Sequence, residues 1–137
     1  MASRNFWSMA FLFVALVALP AQANSIPYLS FQDLTALYPK SKPVFDWDWP
    51  TVKVDDQSDL VKQCKDDFAS YFKETHFKER YPVANGNLVL RNVIKDPSNA
   101  IIYLAFKIEP EDLPDLMMIY FYNPKTRTFV LKTMLSL

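Results

Sequence analysis

Past Asn85-Gly86 the chain gives up helical spacing and turns to alternation. Leu88 to Ile94, Ala100 to Ile108, Leu116 to Tyr122 and Arg127 to Leu135 all read at period two, the repeat of a strand with one face buried. Lys95-Asp96-Pro97-Ser98-Asn99 supplies turn chemistry between the first two runs, and Asn123-Pro124-Lys125-Thr126 sets proline at the second position of a turn. The middle connection, Glu109 to Asp115, is acidic and carries Pro110 and Pro114, so it can project from the sheet. Four consecutive strands joined by short connections predict an antiparallel meander.

Ahead of that switch the period is helical. Val61, Cys64, Phe68, Tyr71, Phe72 and Thr75 recur at three- and four-residue spacings, with Lys62, Lys65, Asp66, Lys73 and Glu74 on the other side. Asp55, Asp56 and Ser58 are candidate caps, so one long helix is predicted over about 58–78, ending before Pro82. A shorter helix is expected from Phe31 to Tyr38, capped by Ser30 and stopped by Pro39. Between them Pro39, Pro43 and Pro50 favour an extended arm, with a short strand at Thr51 to Val54. The expected class is α+β, one long helix packed on a four-stranded antiparallel meander with an N-terminal arm. By order of elements this is similar in outline to cystatin-like folds. The boundaries are residues 1–23 as a leader, 24–56 as the short helix and arm, and 57–137 as the core of the same domain.

The leader has the layout of a secretory signal peptide: Arg4, an apolar run from Phe6 to Leu19, and Ala21-Gln22-Ala23 before a cut at Asn24. The run is too short for a membrane span, which needs about 20 residues. A periplasmic or secreted location follows, with no membrane insertion after cleavage. Removing Arg4 from an even balance of 15 basic and 15 acidic side chains leaves one surplus acid. A near-neutral surface lacks the basic footprint that nucleic acid requires.

Cys64 is the one cysteine, so no disulfide can close within the chain, and its place on the apolar stripe predicts a buried thiol. Gly86 is the one glycine, which removes most phosphate cradles and oxyanion loops, where the backbone must approach a ligand closely. The sole histidine, His76, lies more than three helical turns from Cys64, which rules out a dyad on one straight helix. Neither a metal site nor a cofactor is expected: one His and one Cys cannot build a zinc site, and Asp55, Asp56, Asp59 and Asp66-Asp67 read as caps and solvated helix face.

What is left is surface. Alternation groups Ile102, Leu104, Phe106 and Ile108 with Met117, Ile119, Phe121, Phe129, Leu131 and Leu135 as the side that meets the helix. The opposite side then holds Ile101, Tyr103, Lys107, Met118, Tyr120, Tyr122, Val130, Lys132 and Met134, with Arg91 joining from the first strand. Tyrosine, methionine and arginine favour interfaces, so this side is either a partner-binding face or the bed on which the arm lies. The expected partner is another exported protein, and the expected role is that of a non-enzymatic binding protein of inhibitor or immunity type. Arg91, Tyr103, Tyr120 and Tyr122 are the candidate contacts, with Glu111 and Asp112 as an acidic accessory. The alternative is a saccharide or small-ligand site at Asp46-Trp47-Asp48-Trp49, where ring faces and carboxylates sit together; an extended backbone there would point them apart. A structural role in envelope assembly is the third possibility.

Overall fold

The computed structural model describes residues 25–110 and 116–136. Its elements run α1 (Phe31–Ala36), α2 (Asp59–Glu74), α3 (Phe77–Arg80), β1 (Leu88–Lys95), β2 (Ile102–Ile108), β3 (Leu116–Asn123) and β4 (Thr128–Ser136). The strands lie in the order β1-β2-β3-β4 and every neighbouring pair is antiparallel. The result is an α+β domain: a four-stranded antiparallel sheet with a few helices. The leader lies outside the described residues.

Ser58 begins α2 as expected, its hydroxyl accepting from the Val61 amide at 3.4 Å, with Asp59 in the positive first turn. Val61, Cys64 and Phe68 are fully buried against the sheet. The helix is shorter than the spacing predicted. It stops at Glu74, and His76 takes a left-handed backbone (φ 52) before the single turn of α3. The break has a packing reason. Phe77 is about two and a half turns beyond Phe68, so a straight helix would carry it to the opposite side. The kink instead buries Phe77 with its ring centroid 5.8 Å from that of Phe68.

Residues before α2 trim the sheet edges. Pro50 and Val52 bond to β1 (Lys95 N to Pro50 O 2.9 Å, Val52 N to Val93 O 2.8 Å). The strand expected at Thr51 to Val54 is thus one bridge, Thr51 to Ile94. At the other edge Lys132 N donates to Pro27 O (2.7 Å) and Leu29 N to Lys132 O (3.0 Å), a short parallel pairing on β4. Both edges lose part of the open backbone that invites unwanted pairing. α1 is capped by Ser30, which accepts from Asp33 N at 3.1 Å, and it buries Leu34.

Candidate functional site

Directly opposed residues in an antiparallel pair share a face. The pairing sets Leu104 against Tyr120, Phe106 against Met118 and Ile102 against Tyr122. Met118 and Tyr120 therefore face α2 beside Leu104 and Phe106. Met117, Ile119, Phe121, Leu131 and Leu135 lie on the other side, with Tyr103, under the arm. The alternation had crossed β2 with β3. Their relative parity depends on the 109–115 connection, whose path composition does not fix, and both faces are apolar enough to suit either parity.

The candidate contacts consequently do not form one surface. Tyr120 (0% exposed) is beneath the helix and Tyr103 (1%) beneath the arm, on opposite faces. Tyr122 is half-buried beside Phe129, ring centroids 4.9 Å apart. Arg91 is exposed in the bulge that interrupts β1 between Leu90 and Asn92. Glu111 and Asp112 lie outside the described residues.

Each face instead encloses a polar cluster. Asp67, expected on the solvated side of α2, is buried on its apolar stripe. Its Oδ2 accepts from Lys132 Nζ at 2.6 Å and from the Tyr120 hydroxyl at 2.9 Å, while Oδ1 accepts from Ile26 N at 2.8 Å. Lys132 Nζ also sits 4.7 Å from the centre of the Tyr71 ring. Such a pair costs much desolvation and holds only because every carboxylate oxygen is bonded. Burial, with the Asp67 charge adding to it, pushes the Tyr120 phenol well above its usual range. Asp67 could have been found in the sequence: it stands three residues after Cys64 and four before Tyr71, on the buried stripe. A half-open cleft of about 180 Å³ lies beside this cluster, lined by Ser25, Tyr28, Ser70, Tyr71 and Glu74 with Asp67 and Lys132.

On the other face Asp96 is buried and accepts from Ser98 N (2.8 Å) and Ser98 Oγ (2.7 Å). Tyr103 hydrogen-bonds to Asp96, and burial first, then the neighbouring Tyr38 and Asp96, raise its phenol pKa. Phe45 and Trp49 lie against the Tyr103 ring at 5.4 and 5.5 Å between centroids.

The segment Asp46-Trp47-Asp48-Trp49 is a turn, not an extended run. Trp49 N donates to Asp46 O (3.1 Å) and Asp48 N to Asp46 Oδ1 (2.9 Å). Trp47 packs edge-on to Phe45 at 4.6 Å, yet 39% of its surface stays in solvent, beside an exposed Asp48 and a half-buried Asp46. The arm thus clips itself to the sheet through Phe45 and Trp49 and presents Trp47 outward.

Cys64 is fully buried, and burial raises its thiol far above the usual range, with Asp67 reinforcing the shift. His76 is exposed, with Nδ1 3.6 Å from Glu79. Among the described residues no group of three or more His, Cys, Asp or Glu is placed to hold a metal, and no helix is long and apolar enough to cross a membrane. Comparison with protein-family models, curated proteins and solved structures found no match.

Proposed function

We propose that this chain is an exported, non-enzymatic binding protein that acts through a protein–protein surface, as an inhibitor or immunity-type protein would, with another exported protein as partner. The observation that supports it best is Trp47 held outward on a pinned turn. A rigid aromatic loses little entropy on docking and supplies large contact area, which is why tryptophan leads among interface hot spots. Asp46 and Asp48 give that contact a negative surround. In fold terms we read the helix-on-meander arrangement as cystatin-like in outline. The candidate surface moves from the tyrosines of the sheet, which are buried, to the arm.

The test is retention of a partner from envelope and culture extracts by the tagged domain beginning at Asn24, beside its Trp47→Ala variant. A single protein held by the first and lost with the second, the fold intact by circular dichroism, supports the reading. Equal retention moves the site off the arm.

A second reading, saccharide or small-ligand binding, is favoured by one feature: the turn brings the Trp47 ring and the two carboxylates together where an extended strand would separate them. Trp47 and Trp49 are the two tryptophans outside the leader, so intrinsic fluorescence reports on the turn alone in the processed chain. Emission unmoved by millimolar cell-wall glycans would count against this reading.

A further inference from the structure

The start of the described chain is tied to the interior. Ile26 N donates to the buried Asp67 at 2.8 Å, and Pro27 and Leu29 bond to the Lys132 backbone at 2.7 and 3.0 Å. Ser25 already lines the cleft, and Glu74 stands on its rim. Asp67 and Glu74 are about two helical turns apart, so both carboxylates look to the same side of α2.

The charges around that cleft are unevenly engaged. Lys132 is held by Asp67 and the Tyr71 ring. Arg80 approaches from α3 and hydrogen-bonds to Tyr71, which in turn bonds to Tyr28. Burial raises both phenols, so they stay neutral near pH 7. Among the described residues Glu74 has no ion-pair partner.

We propose that this cleft binds a primary ammonium, supplied by the chain's own α-amino group once the leader is cut between Ala23 and Asn24, with Glu74 as its counter-ion. The inference rests on the export reading above. Cleavage there frees an amine two residues before Ile26, and two extended residues reach about 7 Å at most. The amine is thus confined to the neighbourhood of the cleft. Before cleavage the same nitrogen is a neutral amide, so hydrolysis of that bond creates the cation the site receives. Processing then adds an ion pair to the segment that already closes over the Asp67–Lys132 cluster.

The test uses the chain beginning at Asn24, with its amine free or acetylated, and Glu74→Gln, an exposed change that leaves the core intact. NMR titration of the free amine is expected to give a pKa about one unit above its usual value near 7.7–8.0, a tenfold gain in proton affinity, and Glu74→Gln should restore the usual value. A raised folded-state pKa adds stability below the unfolded value and loses it as pH rises through the folded one. Acetylation should therefore lower the melting temperature by about 5 °C at pH 7, and the gap should close above about pH 9.5. An ordinary amine pKa, or one that Glu74→Gln leaves raised, overturns the proposal. Mass spectrometry of the exported protein tests the leader separately: no cut at Asn24 removes the processing step, while the titration still decides whether the cleft takes an ammonium.

Discussion

The two faces of the sheet are both covered, but by different kinds of chain. On one, α2 runs unbroken from Asp59 to Glu74 and satisfies its own backbone while Val61, Cys64 and Phe68 pack downward. On the other, the cover is α1, a proline-containing arm and a turn, held by side chains such as Leu34, Val44, Phe45 and Trp49. A helix carries its hydrogen bonds with it, whereas an arm stays down only as long as its anchors do. Each face also buries a tyrosine bonded to an aspartate: Tyr120 to Asp67 under the helix, Tyr103 to Asp96 under the arm. The helix side adds a lysine and closes around an ion pair.

High pH should erase the difference. Cys64, Tyr120 and Tyr103 all have raised pKa values in the fold, so each stabilises it below its unfolded value and stops doing so as pH climbs. Stability is expected to fall from about pH 8.5, where an unfolded thiol ionises, and steeply beyond about pH 10, where unfolded tyrosines do. Circular dichroism followed against pH would show it; a fold unchanged at pH 11 would contradict the burial of these groups.

Asp67→Ala separates the faces again. It strands Lys132 in the interior and is expected to cost about 3–5 kcal/mol by chemical denaturation. Lys132→Met should cost less, because Asp67 keeps the Tyr120 hydroxyl and the Ile26 amide. The reverse order would mean that the carboxylate is not the hub of the cluster.

Trp49→Ala tests the arm. It should cost about 2 kcal/mol, and its effect should be local. Amide exchange is expected to quicken over residues 29–50 while α2 stays protected. Quickening throughout would mean that arm and helix unfold together. The smallest effect should be a gain. The Thr133 hydroxyl is buried on the arm side with no hydrogen-bond partner among the described residues. Thr133→Val should stabilise by about 0.5–1 kcal/mol in the same denaturation assay.

Much of the fold was legible because local chemistry decides it. Ser58 and Ser30 are caps wherever they fall before an apolar stripe, and all four strands appear within two residues of where alternation places them. The candidate site was less legible. Tyr103 and Tyr120 differ by an odd number of positions, and which face each takes turned on a loop whose length says nothing of its path. The arm's turn was missed because Asp46 bends the backbone through a side-chain bond that competes with extension. Asp67 was misread because a carboxylate next to Asp66 looks solvated until its partners are known, and Lys132, Tyr120 and Ile26 are all more than 40 residues away.

The sequence by itself determined the elements: where helices and strands begin, that no disulfide closes within the chain, and that Cys64 goes inside. These follow from periodicity, capping and composition, which act over a few residues. Tertiary structure alone decided which faces meet. It turned two tyrosines from a surface into two interiors, broke the long helix to bring Phe77 home, and built an ion pair from Asp67 and Lys132. Those outcomes depend on pairing register and on desolvation shared between distant residues, and no local pattern encodes either.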